Sequence, residues 1–589
     1  MLLGLAVAAT IQIGNNAEAD GAEVAVTDRS TVTSAPDAPA VDVAASPFVY
    51  RIGVLSGITT DNFWTYYGEE PSVWNSYMLG PTKSALYSID PVTGTFEPEL
   101  AMEVASPTRE AGGWRVTVDL NPDFRWSDDE PITARDVVFT FETVRALDLG
   151  GSWATAFPET VSSIHAEGEQ TLRIEFTERP NLAVWPHGVG LAPVMAEHVW
   201  GSRVDDSSAS ELYDESGDLD VSGGRLALVY ATPGLVSSHA NPGYPFGSDP
   251  AAVEYHVYGS VSEMIDALSN GEVDTVLSPK GVDADLVRDL DLEVGVSVLS
   301  NPANSVSYLG FNLERPPMSD GAFRTALALL VDRDDLARVF PMVEPAWSFI
   351  PEANSRWFDP VEAAEIVERY RGDLEDRLDR ALEGLRAAGY EWETEPSVDG
   401  DGSLVAGESL TIDGAAPQAL TILTPGENHD RAGPSYARSI AEALGLLGFD
   451  ARPVETDFDT VVNLAFTPGD DETLHFDMYI LGWTLGSPAL PQYYGRLFSA
   501  ESEMNNTGYS SEAFQSALGH YETAFTVDEA RDALWVLERT LSEDLPYLLL
   551  YTRRLSEVYR SDRVRFDVAQ SLGGLQARLG GIGDVHAAD

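Results

Sequence analysis

The residues in this sequence best placed to do chemistry are aromatic, and the chemistry they suit is binding. Phe63-Trp64-Thr65-Tyr66-Tyr67, and Trp483 with Tyr493-Tyr494, sit in stretches broken by Gly and Pro rather than at helical spacing. An aromatic ring with a polar tip brings rigid apolar area and a hydrogen bond together, as a ligand cleft requires. Ordinary core packing is the competing reading for each of them. Trp483 stands apart, because it closes the run Asp477-Met478-Tyr479-Ile480-Leu481 and opens Gly482-Trp483-Thr484-Leu485-Gly486-Ser487-Pro488. Read as a strand followed by a loop, this puts Trp483, Gly482, Thr484 and Gly486 at a strand's carboxyl edge, where open α/β sheets bind ligands. Trp64, Tyr66 and Tyr493 are the further aromatic candidates.

Reaction motifs are missing. The chain has no Cys, which removes thiol nucleophiles, thiolate metal ligands, disulfides and a lipidated N-terminal Cys. Its nine His are scattered without ligand spacing, and no HExxH is present. The two lysines, Lys83 and Lys280, follow Pro81-Thr82 and Ser278-Pro279, so a phosphate-cradling GxxxxGK[ST] loop is excluded. Gly188-Val189-Gly190 lacks the third Gly of a dinucleotide fingerprint, and there is no GxSxG elbow. With 95 carboxylates, any chosen acidic pair is uninformative. Asp399-Gly400-Asp401-Gly402-Ser403 looks like a calcium loop but has Leu404 and Leu410 where Gly and Glu are needed. We expect no catalytic residue, metal site or cofactor.

The elements that must position the aromatics alternate in type. Phe48 to Val54 reads as a first strand, and Trp114 to Leu120 alternates so that Trp114, Val116, Val118 and Leu120 share a face. Thr133 and Asp136 cap a helix carrying Val137, Phe141 and Val144. Val253 to Tyr258 is a strand, Ser262 to Ser269 a helix stopped at Asn270-Gly271, and Val273 to Leu277 a strand. Asp320 to Leu330 is helical; Leu420 to Leu423 is a strand, followed by a helix from Tyr436 to Leu447. Thr526 and Glu529 form a capping box for a helix that stops at Pro546. Strands alternating with helices imply an α/β protein. Glu391 to Pro417, rich in Gly, Asp, Ser and Glu, reads as a solvated hairpin or insertion.

Charge narrows the partners. The 589 residues carry 36 basic and 95 acidic side chains, a net −59, so a basic face that releases counterions from nucleic acid is not expected. Acidity spread along the whole chain, with Arg nearly replacing Lys, is the pattern of proteins adapted to high salt, where a Debye length of roughly 3 Å at 1 M screens the repulsion. An acidic secreted protein is the alternative. Residues 1–19 hold an apolar run, Leu2 to Ile13, then Ala17-Glu18-Ala19, which fits a signal peptide and its cleavage site although the positive n-region is missing. Residues 20–46 have the composition of a disordered linker. Export to an extracellular or surface location follows, with no segment long enough to span a bilayer.

Taken in order, several blocks resemble the family 5 extracellular solute-binding proteins, the oligopeptide, dipeptide and nickel receptors of ABC importers. They include Phe96-Glu97-Pro98-Glu99-Leu100-Ala101, Phe124-Arg125-Trp126-Ser127-Asp128 and Ile132-Thr133-Ala134-Arg135-Asp136-Val137. Asn241-Pro242-Gly243-Tyr244, Gly271-Glu272-Val273-Asp274, Phe311-Asn312, Asp332-Arg333, Trp357-Phe358-Asp359-Pro360, Ala388-Gly389-Tyr390, Gly482-Trp483 and Gly508-Tyr509 continue the series. The resemblance implies a two-lobe, periplasmic-binding-protein-like α/β fold of type II, with an extra subdomain and two hinge strands. Lobe one would span 47–305, lobe two 306–547, and 548–589 would return to lobe one and form the tail, with crossings near Val306 to Asn312 and Leu548 to Tyr551. It implies a monomer that encloses a peptide or other small-molecule ligand and delivers it to a membrane permease, and it adds Asn312 to the candidate residues. In peptide-binding members an Asp a few residues after the Gly-Trp pair holds the peptide's α-ammonium; here Gly486 and Ala489 occupy that stretch. A hydrolase on the same scaffold, or a ligand sensor or chaperone acting through a protein partner, are the alternatives.

Overall fold

Local signals in the sequence become the expected elements. The computed structural model describes residues 48–67, 72–110, 113–149, 160–204, 208–217, 221–400, 403–468, 473–568 and 570–588. The signal-peptide and linker expectations for 1–19 and 20–46 lie outside them. Thr133 and Asp136 form the capping box of α1 (Ala134–Ala146), whose Val137, Phe141 and Val144 are buried. Ser260 caps α2 (Val261–Ser269), which ends at Asn270 and leaves through Gly271 in the left-handed region at φ +72°. Asp320 caps α3 (Gly321–Leu330). The helix expected from Tyr436 begins four residues earlier as α4 (Ala432–Leu446). The Thr526–Glu529 box opens α5 (Val527–Asp544).

One sheet of twelve strands among the described residues carries the architecture. Its strands are β1 (Val49–Val54), β2 (Leu226–Thr232), β3 (Leu235–Ala240), β4 (Ala252–Val257), β5 (Thr275–Val276), β6 (Val296–Pro302) and β7 (Ser305–Phe311). They continue with β8 (Val343–Pro345), β9 (Leu420–Pro425), β10 (Ala451–Thr456), β11 (Met478–Thr484) and β12 (Tyr547–Arg560). The order is β10-β9-β11-β7-β12-β5-β1-β4-β3-β2, with β6 and β8 also paired to β12. The fourteen residues of β12 belong to both halves. Tyr547 to Tyr551 pair with β7, and Arg554 to Arg560 pair with β6. The second link is Ala303-Asn304, between β6 and β7. The switches from one half to the other therefore fall at 303–304 and around Thr552 to Arg554. The β7–β12 and β7–β11 ladders hold Val306 to Phe311 and Leu548 to Tyr551 in the C-terminal half.

Each half has its own core. Tyr50, Ile52 and Tyr255 are fully buried in the N-terminal half, and Leu309, Phe311, Phe323 and Ile440 in the C-terminal half. A separate four-stranded antiparallel sheet (Thr108–Glu110, Gly113–Asp119, Thr171–Phe176, Val161–Ala166) is the extra layer of the N-terminal half; it buries Val116 and Val118, while Trp114 is only half-buried. The 391–417 stretch forms short hairpin pairs, Tyr390–Glu391 with Thr411–Ile412 and Ser397–Val398 with Leu404–Val405. No helix among the described residues is long and apolar enough to cross a membrane.

Candidate functional site

Strand direction fixes where a ligand can sit. β1, β4 and β5 run parallel to one another, as do β9, β10 and β11. β5 is antiparallel to the second half of β12, and β11 is antiparallel to β7, which is antiparallel to the first half. The carboxyl ends Val54, Val257 and Val276 on one side, and Pro425, Thr456 and Thr484 on the other, therefore all point at the level of the two crossings. Open α/β sheets bind ligands at such ends.

β11 brings the candidate residues to this cleft in an order the sequence did not show. The ladder with β7 runs on to Ser305 opposite Thr484, so Gly482 and Trp483 lie within the strand rather than in the loop after it. Strand alternation then sends neighbours to opposite faces. Gly482 and Thr484 are exposed, whereas Trp483 turns inward and is only 4% exposed. Its ring stacks on Tyr308 (centroids 6.3 Å apart, planes 9° apart) and meets Phe466 edge-on at 5.8 Å. That packing engages the indole with rings of its own half. What β11 presents to the cleft is backbone. β9 pairs with it only at Met478 and Tyr479, so Ile480 to Thr484 have no ladder partner on the side away from β7 among the described residues.

The following loop is tied to a crossing. The Leu485 N–H donates to the Asn304 carbonyl at 2.9 Å, and Asn304 Nδ2 donates to the Gly486 carbonyl at 2.8 Å. Gly486 takes φ +63°, a left-handed conformation that favours glycine. One residue on, Ser487 Oγ meets His187 Nε2 of the N-terminal half at 3.3 Å. Burial pushes His187 down to about 4, so the contact is a neutral hydrogen bond at ordinary pH. Leu182 N–H to the Ala524 carbonyl at 2.9 Å and Arg179 to Glu529 at 3.2 Å also span the halves.

Charge at the second crossing is paired. Asp430, in the turn between β9 and α4, accepts from the Tyr551 hydroxyl and from the Ala432 N–H, and lies 2.6 Å from Arg553 Nη2. Burial alone would raise its pKa, but Arg553, Tyr551 and the Ala432 N–H outweigh that and hold it below the usual carboxylate range. Asn304, Asp430, Tyr551, Arg553 and His187 carry no sequence motif, and only pairing across the fold reveals them.

The other candidates are not brought together. Trp64 is fully buried in the N-terminal core against Trp200 (6.2 Å), Phe139 (6.0 Å) and Tyr67 (5.7 Å). Tyr66 is half-buried and stacks on Phe63 at 4.8 Å. Asn312 lies at the far end of β7, where its side chain donates to the Phe476 carbonyl and accepts from the Glu314 N–H. Strand rise puts it roughly 20 Å from the Thr484 pair. Tyr493 stacks on Tyr494 at 4.5 Å and donates to its hydroxyl, pointing into the C-terminal half.

Two sheet halves that share one long strand and are linked at two crossings have the architecture of a two-lobe binding protein. The chain belongs to the bacterial extracellular solute-binding proteins, family 5, whose middle-region model matches residues 95–505. It is 24% identical over 356 residues to the peptide transport periplasmic protein SapA of Salmonella typhimurium, covering 56% of this chain and 61% of that protein. Among solved structures, the nonapeptide complex of an oligopeptide-binding protein from Bacillus subtilis superposes with a TM-score of 0.61 at 17% identity, covering 92% and 99% of the two chains. A mannohexaose-bound oligopeptide-binding protein from Thermotoga maritima gives 0.61 at 19%, covering 92% and 98%. At these identities the structural likeness concerns the fold.

Proposed function

We propose that this chain is the extracellular substrate-binding component of an ABC importer, a monomer that encloses a peptide or other polar solute between its halves and delivers it to a membrane permease. The observation that carries this reading is the unpaired edge of β11 from Ile480 to Thr484, set at the level where both groups of parallel strands end. An extended ligand can add to such an edge by main-chain hydrogen bonds, which need no particular side chain. That mode suits a loop with Gly486 and Ala489 in place of an ammonium-binding carboxylate. Closure follows from differential affinity: a ligand touching both halves favours the state in which both are in reach. Lobe boundaries at the two switches, 303–304 and 552–554, are part of the proposal, as is the absence of catalysis.

Mass spectrometry of the protein purified in molar salt, native and then denatured, tests this. Release of a stoichiometric peptide or polar solute that rebinds the emptied protein is the expected result. Turnover of the released molecule on rebinding, or stable capture of a signalling protein with no dependence of solute uptake on this chain, would overturn it.

A further inference from the structure

Away from the strand ends, the C-terminal half contains a buried cation with two donor nitrogens unused among the described residues. Arg333 is 3% exposed and Nη1 donates to the carbonyls of Ala346 (3.3 Å) and Leu549 (3.2 Å). Its Nε and Nη2 have no hydrogen-bond partner among the described residues. The guanidinium lies 3.7 Å over the ring of Trp347, whose Nε1 is likewise buried and without a partner. Both side chains line one cavity with Tyr370, Glu538, Ser542 and Tyr547. Among the described residues no carboxylate pairs with Arg333, whereas the similarly buried Arg377 and Arg578 pair with Asp332 and Asp584.

The other ionisable groups around the cavity are already engaged. Glu538 receives Ser348 Oγ at 2.6 Å, the Phe349 N–H at 3.1 Å and the Tyr494 hydroxyl. Burial raises its pKa, and the hydrogen bonds from Ser348, Tyr494 and the Phe349 N–H oppose that rise. The Tyr370 hydroxyl donates to the Ser542 carbonyl. Burial lowers Arg333 only to about 10, so it remains a cation at neutral pH. A buried cation without a carboxylate partner is costly, and unpartnered donors of Arg333 and Trp347 lining one cavity call for an acceptor with nothing to donate.

We propose that this cavity is a halide site, with a chloride or bromide ion accepting from Arg333 Nε and Nη2 and from Trp347 Nε1. The space admits a monatomic ion. It is distinct from the cleft: its strand residues, Tyr547 to Leu549, lie on the far side of Tyr551 from the crossing. The site stands whatever solute the cleft holds. In the high salt that the composition suits, even a weak site would be filled.

Crystals of the full chain grown in sodium bromide test the assignment directly. An anomalous bromine peak in the cavity, within hydrogen-bond reach of Arg333 Nε and Nη2 and of Trp347 Nε1, is expected, and an ordered water there with no anomalous signal would overturn it. In solution, the thermal midpoint should be higher in bromide than in acetate at equal sodium concentration. In Trp347→Phe, which keeps the ring face but removes the N–H, the apparent bromide affinity should fall about tenfold, the loss of one charge-assisted hydrogen bond. Equal midpoints in the two salts, or an unchanged bromide dependence in Trp347→Phe, would refute the site even if Arg333→Met does not fold.

Discussion

Replacing Trp483 by Ala separates a structural from a ligand-contacting role for the residue that the sequence singles out. The ring is 4% exposed, stacked on Tyr308 and edge-on to Phe466. Removing about 200 Å² of buried aromatic surface costs about 5 kcal/mol, and the lost ring pairs add about 1 kcal/mol. The indole N–H and the Tyr547 hydroxyl are neighbours without hydrogen-bond geometry, so the variant also sheds a poorly satisfied polar group, which offsets about 2 kcal/mol. The net expectation is a loss of about 4 kcal/mol, within the range of Trp deletions in cores. Urea unfolding followed by far-UV circular dichroism should show a midpoint lower by about 2 M for a slope near 2 kcal/mol/M. Trp483→Phe should lose about half as much. Unchanged unfolding together with abolished solute binding would put the indole on the cleft face and refute the packing argument.

Three other outcomes follow from the same geometry. Asp430 has a folded pKa held below its unfolded value near 4, so it stabilises the fold above pH 4 and that contribution is lost as pH falls through the folded value. Asp430→Asn should therefore cost about 2 kcal/mol at pH 7, with the gap to wild type closing on acidification; a pH-independent gap counts against the Arg553 pairing. Glu99 behaves oppositely: burial raises it to about 7, against hydrogen bonds from the Ala85 N–H and the Tyr244 hydroxyl, so its contribution is best below pH 4 and is lost as pH rises toward 7. Glu99→Gln should gain about 1–3 kcal/mol on wild type between pH 4 and pH 8 in chemical denaturation, and a flat difference would show that Glu99 is ionised throughout. Asn304→Ala removes the 2.8 Å bond from the crossing to the Gly486 carbonyl, and should weaken solute binding by about 2- to 10-fold in calorimetry with little change in unfolding; unaltered affinity would detach this loop from closure.

The sequence by itself determined the local elements and the class. Caps such as Thr133 with Asp136 and Thr526 with Glu529, and the stop at Asn270-Gly271, depend on atoms three or four residues apart, so nothing distant could override them. Composition and missing motifs pointed to binding, and the ordered blocks pointed to the family that the match over 95–505 shows. Which face of β11 meets the ligand was not legible. Gly482-Trp483 reads as the start of a loop until the ladder with β7 extends the strand to Thr484 and turns Trp483 inward. Asn312, beside the conspicuous Phe311, fastens the turn that follows β7, and only the tertiary structure shows those partners. Asp430 and Arg553, 123 positions apart, are joined only because β12 threads both halves. Periodicity records whether a side chain is buried, but a binding site is set by which strand ends face one another, and that is decided by pairings between segments hundreds of residues apart.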